Sequence, residues 1–570
     1  MSWKPRAVDP GFKARRESLQ ARYVSVSPLP DASRLAYLRG PEHVVTEVQI
    51  RDLWVRALEN PVVDVEPENN IYIHVPFCSP GTEASLISGL QIASPDRLQA
   101  WLDRVIGSME TLGPAVESLA WGAVYVGGGT PGILPAPMLE KLFGALRNFL
   151  HIRPDAHKAI SFDPLIMAGD SVDVLTANGF TSFSVSIDSF NEDVSRAHLR
   201  EPQGRSDVSA WFEQLYSSGL YDVSCEFVLG LAGATPEESI ADIEWLVETQ
   251  TPNLVQVGQL VPTVDYLARH FGGDLEAFWR HLEPFRLQAG RALSAIGVRH
   301  GYTVTMDGAG RYILQRGKTP SGFEPVRGRC YSYSQRVSEA GKPMHLLGFG
   351  TSARSQIFGY AGYHGRSPVA PAGAAPQHYA GQLIDLEDEI RTFVVRQLWD
   401  RGEVDSEDFK RIFGREIADA IPVAMSAWAD DSCMTVEPGR AGLNSESRQS
   451  RLEKLLWLVP ERCLEHEISR SQNLDISPDG ILQMLGDLTI GRGLHGNHSF
   501  SGVNDAGHIL IVTPERQSMK FRVAPGLDEG APLRLVLESR PPANREARAA
   551  LTRAMVQVRG VLRAAEASEG

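Results

Sequence analysis

The 570-residue sequence contains only five cysteines, Cys78, Cys225, Cys330, Cys433 and Cys463. They are scattered and odd in number, so they imply no disulfide framework. No apolar run approaches the roughly 18 residues that a bilayer span needs. The opening MSWKPRAVDPGFKARRESL lacks the apolar middle of a signal peptide. The expectation is a cytoplasmic chain with no membrane partner. A basic excess is also missing: 56 Lys+Arg against 70 Asp+Glu give a formal charge of −14, which argues against a nucleic-acid partner. Internal repeats are absent. What remains is ordinary globular material, 43% hydrophobic and 8% aromatic, enough for a large core and too apolar for wholesale disorder. At roughly 100–200 residues per domain, the length predicts about three or four domains.

Apolar or β-branched runs recur at Ile71–Val75, Ala123–Val126, Ile160–Phe162, Phe183–Ile187, Val223–Leu229 and Leu254–Val257. Helical segments separate them, with start signals at Ser94-Pro95-Asp96 and at Thr235-Pro236-Glu237-Glu238, a capping box. Pro135–Leu150 is amphipathic, and Asp170–Asn178 is closed by Gly179. Six strand–helix units whose strands lack clean alternation predict a buried parallel sheet, either an open doubly wound sheet or an incomplete barrel. In both, the site lies at the C-terminal ends of the strands. The expected division is an N-terminal extension at 1–66, the strand–helix units at 67–300, a completing and linker region at 301–385, a helical region at 386–460, and an appended α+β domain at 461–570. Gly359–Gly373 reads as a loop or linker. In the last domain, strands at His508–Val512, Lys520–Val523 and Leu533–Leu537 precede a helix, Ala543–Ala565, that covers that domain's core or faces a protein partner.

The strongest local pattern is IYIHVPFCSP at 71–80 followed by VYVGGGTPGIL at 124–134. Three glycines ending a strand let backbone N–H groups approach a ligand, although alone they fit a tight strand-to-helix turn equally well. With a strand ending in Ser189-Phe190 and LGLAG at 229–233 in the same order, the sequence resembles the HemN-like radical S-adenosylmethionine (SAM) family, which includes oxygen-independent coproporphyrinogen III oxidase. The resemblance runs from about Glu68 to Pro460 and takes in VGQLVPT at 257–263 and LGFGTSARS at 347–355. It implies an α/β fold, an incomplete (β/α)6 TIM-like barrel, with a winged-helix-like element over 386–460.

One departure stands out. The family's cluster loop carries three cysteines, in a Cys-x3-Cys-x2-Cys pattern, that hold a [4Fe–4S] cluster. Here the loop reads CSPGTEAS, with Thr82 and Ser85 where the second and third cysteines belong. Hydroxyls are poor substitutes for thiolates in iron–sulfur bonding. The expectation is therefore no cluster and no resident metal. The resemblance places SAM contacts at Tyr72, Gly127, Gly128, Gly129, Thr130, Ser161, Asp188, Arg200 and Glu226. Of these, Ser161 stands at the family's glutamate position, Asp188 at its glutamine, and Glu226 at its aspartate.

With the glycines and acidic groups kept and the cysteines gone, the expected activity is polar SAM chemistry on a small-molecule substrate, in specialised metabolism. Asp188, Glu226, Tyr72 and His74 have side chains suited to it. The reaction is either methyl transfer or closure of SAM's own aminobutyrate chain with release of methylthioadenosine. Taken singly, each of these residues reads more simply as a positioning group. A haem or porphyrin binder and a non-catalytic scaffold are the alternatives. His495 and His498 in LHGNHSF have metal-ligand spacing, but the intervening Gly-Asn reads as a surface turn.

Overall fold

Strand residues that alternate in burial fix which way each side chain points. In DVSCEFVL at 222–229, Val223, Cys225, Phe227 and Leu229 are buried, and the residues between them are half-buried. The buried set belongs to the main apolar core, and the other set lies on the opposite face of the strand. The expectation of strands without clean alternation therefore fails here. The computed structural model describes residues 9–26, 43–78, 91–162, 169–187, 189–198, 202–220, 222–260, 264–271, 275–306, 311–317, 337–338, 341–365, 379–429, 431–437, 439–444, 448–472, 500–501, 508–512, 518–524 and 534–537.

In chain order the strands are β1 (His43–Val45), β2 (Glu68–Val75), β3 (Phe77–Cys78), β4 (Gln91–Ile92), β5 (Ala120–Gly128), β6 (His151–Phe162), β7 (Ser182–Ser186), β8 (Asp222–Leu229) and β9 (Leu254–Gln259). There follow β10 (Tyr302–Met306), β11 (Tyr312–Arg316), β12 (Met344–Phe349), β13 (Arg354–Ile357), β14 (Ala361–Gly365) and β15 (Tyr379–Leu383). Apart from the β3–β4 pair, they form one 13-stranded sheet in the order β1-β15-β14-β13-β12-β2-β5-β6-β7-β8-β9-β11-β10. From β12 through β9 every pairing is parallel. The outer strands on both sides are antiparallel.

All six expected strands are present. The additional parallel strand is β12, whose six residues are all buried. Its MHLLGF offers neither alternation nor length, so periodicity does not reveal it. Between the strands, helix Pro95–Leu112 starts on Ser94, whose hydroxyl accepts from the Arg97 N–H, and helix Pro236–Thr249 starts on the Thr235–Glu238 capping box. The helix over Ala136–Phe149 buries Leu139, Leu142, Phe143 and Leu146. Residues 361–365 of the expected linker form β14 instead, because Ala361 and Tyr363 bury inward and the backbone pairs on both sides. Residues 366–373 of that stretch lie outside the described residues.

A second core joins the helices from Leu386 onward to Leu19 and Tyr23 of the N-terminal helix Pro10–Val26. Arg16, 3% exposed, donates to the carbonyls of Leu456 (2.9 Å) and Val459. Helix Glu47–Glu59 sends Ile50, Leu53 and Trp54 into the first core instead. A short hairpin, Met434–Glu437 with Arg440–Leu443, interrupts the helical region. Near the C-terminus, Phe500–Ser501, His508–Val512, Ser518–Ala524 and Arg534–Leu537 pair as a four-stranded antiparallel sheet. Ala543–Ala565, His495 and His498 lie outside the described residues. Among the described residues, no helix is long and apolar enough to cross a membrane.

Candidate functional site

Parallel register carries the polar face of one strand onto the next. Tyr72 on β2 stands beside Tyr125 on β5, with ring centroids 5.9 Å apart and planes 30° apart. Ser186, Glu226 and Gln256 form one row across β7, β8 and β9. Ser184 and Ser224 form the row below. The Tyr125 hydroxyl donates to Ser161 Oγ at 3.4 Å.

Burial, then the charge of Glu226, pushes the Tyr125 phenol up to about 12. In a flat sheet, β5 and β8 would lie roughly 14 Å apart at about 4.8 Å per strand. The curl of the sheet brings them within electrostatic reach.

His74 lies two residues beyond Tyr72 on the same face, and the Tyr72 hydroxyl and His74 Nδ1 are 2.8 Å apart. Burial pushes His74 down to about 4 and holds the Tyr72 phenol protonated by raising it far above its ordinary value. At neutral pH the pair is therefore uncharged. A phenol that donates to Nδ1 leaves the imidazole proton on Nε2. The Trp101 indole N–H fixes the strand from outside by donating to the His74 carbonyl at 3.0 Å.

The glycine segment also answers a demand of the chain itself. The Gly129 N–H donates to the Val75 carbonyl and the Thr130 N–H to the Phe77 carbonyl, each at 2.8 Å. These two donors anchor the chain leaving β2 and are committed to it. A Cβ on Gly127 would lie 2.7 Å from the Tyr125 ring. Gly128 has φ +114°, and a Cβ there would lie 2.7 Å from the Val75 carbonyl and 2.9 Å from the His74 ring. At these two positions the close approach that demands glycine is made by the Tyr125 and His74 rings and the Val75 carbonyl.

Tyr72, His74, Gly127, Gly128, Gly129, Thr130, Ser161 and Glu226 thus gather on the inner face and at the C-terminal ends of neighbouring strands. Asp188 and Arg200 lie outside the described residues. The chain reaches Asp188 through Ile187, whose N–H donates to the Glu226 carbonyl at 2.9 Å. Two side chains at the site escape motif reading. Tyr125 is visible only as an alternating residue of VYVGGG. Arg311 arrives on the returning antiparallel strand and donates to Gln256 Oε1 at 2.6 Å.

The segment that departs from the cysteine pattern leaves and re-enters through a short parallel ladder, Phe77–Cys78 against Gln91–Ile92. Thr82 and Ser85 lie outside the described residues. Cys225 is buried on the helix side of β8, Cys463 belongs to the second core, and Cys433 precedes the hairpin of the helical region. No group of three or more His, Cys, Asp and Glu that could hold a metal occurs among the described residues. At the opposite end of the strands, His157 Nε2 lies 2.5 Å from Ser182 Oγ and 3.4 Å from Asp222 Oδ2, while Ser182 itself donates to Asp222. Both partners share one imidazole nitrogen, so this is a satisfied network and not a nucleophile relay.

No family model matches the chain. Among curated proteins, anaerobilin synthase of Escherichia coli O157:H7 is 28% identical over 210 residues, 36% of this chain and 46% of that protein. Oxygen-independent coproporphyrinogen III oxidase of Salmonella typhimurium is 25% identical over 185 residues, 32% of this chain and 40% of the relative. The heme chaperone HemW of Lactococcus lactis is 25% identical over 195 residues, 33% and 48%. The chain therefore spans less than half the length of these relatives. Among solved structures, HemN of Escherichia coli, a coproporphyrinogen III oxidase described as a radical SAM enzyme, superposes with a TM-score of 0.56 at 18% identity. That superposition covers 73% of this chain and 94% of HemN, and it establishes the partial-barrel fold.

Proposed function

This chain is HemN-like in sequence and fold, and from that premise we propose that it binds SAM without an iron–sulfur cluster and uses it in a polar reaction. One contrast carries the reading: of the three cluster-ligand positions only Cys78 keeps a thiol, while the inner wall keeps Tyr72, the Gly127–Gly129 segment and, as Glu226, a carboxylate. A donor set of one thiol and two hydroxyls does not fit a cluster that requires three thiolates. The positions of Cys225 and Cys463, buried away from the inner face, support the same reading.

The inner wall suits SAM by its chemistry. Glu226 offsets a positive charge, and the stacked Tyr72 and Tyr125 rings present π faces to a cation. Ser161 offers a hydroxyl to a polar edge. When bound, SAM supplies a carbon activated by its sulfonium, open to displacement by a neutral nucleophile. Glu226 is the proton acceptor we assign, with Asp188 as the second carboxylate. His74 Nδ1 is engaged by the Tyr72 hydroxyl at 2.8 Å, so its role is to hold Tyr72 in place. The second reactant is either a small-molecule acceptor or the amine of SAM's own aminobutyrate chain, and the setting is specialised metabolism in the cytoplasm.

The test is incubation of aerobically purified protein with SAM in the absence of reductant, followed by mass spectrometry. S-adenosylhomocysteine would indicate methyl transfer, and methylthioadenosine would indicate displacement at the aminobutyrate chain. Glu226→Gln should lower turnover by about 10- to 100-fold. Intact SAM in air, together with a Soret band on adding haem, would favour the porphyrin-binding alternative.

A further inference from the structure

Three strand exits at the mouth of the barrel are tied together by one buried phenol–imidazole pair. His198 ends the helix that follows β7, Ala232 lies in the turn that follows β8, and Tyr266 belongs to helix Val264–Phe271 after β9. His198 and Tyr266 are 2% and 0% exposed. His198 Nδ1 lies 2.7 Å from the Val194 carbonyl, which can only accept, so the imidazole proton sits on Nδ1. Its bare Nε2 then accepts from the Tyr266 hydroxyl at 3.0 Å, and the Tyr266 oxygen in turn accepts the Ala232 N–H at 2.8 Å. Every donor and acceptor in this chain of bonds has a fixed direction.

Two further contacts support the pair. The His270 ring stacks on His198, with centroids 4.6 Å and planes 20° apart. His281, from helix Leu275–His300, donates its Nε2 proton to the Leu231 carbonyl at 2.9 Å, so the turn after β8 is held through a neighbouring carbonyl as well.

We propose that Tyr266 and His198 are positioning residues that lock the exits of β7, β8 and β9 into one wall, with Glu226 on its middle strand. This rests on the reading of that wall as the SAM site. A buried relay of this kind is costly to break on one side: Tyr266→Phe removes both the hydroxyl proton that His198 Nε2 accepts and the oxygen that the Ala232 N–H donates to. The pair touches no reacting atom and acts through the backbone that carries the site.

Two measurements on the full chain test this. Hydrogen exchange by mass spectrometry, without ligand, should show faster exchange in Tyr266→Phe over both 191–198 and 230–234, with β2 and β5 unchanged. A change confined to helix Val264–Phe271, or none, would overturn the proposal. Calorimetric titration of SAM should show binding weakened about tenfold by Tyr266→Phe. It should show no weakening by Leu293→Ala, a buried helix-side change that lowers stability without touching the relay. Equal weakening by both variants would reduce Tyr266 to a stability role and overturn the proposal. If the wild-type chain does not bind SAM, the functional reading fails while the exchange measurement still decides whether the three exits move as one.

Discussion

A histidine that stays neutral inside a barrel stores a pH dependence. In the folded chain His74 is pushed down to about 4, below its ordinary 6.5, by burial. As pH falls, the unfolded chain takes up this proton first, so stability present above pH 6.5 is lost progressively between 6.5 and about 4. Between pH 7 and pH 5 the wild type should lose about 1–2 kcal/mol more than His74→Gln, measured by urea denaturation. Parallel losses in the two proteins would show that His74 is not held neutral. The neighbouring Gly128, at φ +114° under the His74 ring, makes a second case. Gly128→Ala should cost about 1–3 kcal/mol through backbone strain and displacement of that ring. A thermal melt at neutral pH shows it, and an unchanged midpoint would contradict the packing described.

Among the elements, those with complete local codes were legible in the sequence. Thr235-Pro-Glu-Glu specifies a helix start by itself, and the structure closes the capping box there, with the Glu238 carboxylate accepting from the Thr235 N–H at 3.1 Å. Thr235→Ala should therefore cost about 1 kcal/mol, seen as a lowered denaturation midpoint, and no change would mean that the cap adds nothing to the packed helix. The six strands read from apolar runs were legible for the same reason. β12 was not, because its position beside β2 is decided by parallel pairing with residues almost 300 positions earlier in the chain, such as Leu346 with Asn70. Nor was the use of the Gly129 and Thr130 N–H groups: whether they point at a ligand or at the chain's own carbonyls depends on where Val75 and Phe77 lie, which only the fold fixes. Arg311 eluded sequence reading likewise, since a hairpin return brings it to Gln256 from 55 residues away.

At the scale of the whole molecule, the N-terminal extension is not an appendage. Its first helix completes the second core through Leu19 and Tyr23, and Arg16 satisfies two carbonyls at the end of the short turn Leu456–Leu458. Arg16→Ala leaves those carbonyls buried without that donor and should cost about 1–3 kcal/mol. Limited proteolysis should then cut sooner within residues 386–472, and an unchanged pattern would mean the helix only rests on that surface. The larger question is whether a HemN-like barrel binds SAM through its protein wall alone. The most direct measurement is SAM affinity by calorimetry on one preparation, first in air and again after anaerobic reconstitution with iron and sulfide. Equal affinity, with a colourless protein and no bound iron, is the predicted result. A brown protein that holds a full cluster's iron and binds SAM only after reconstitution would contradict it.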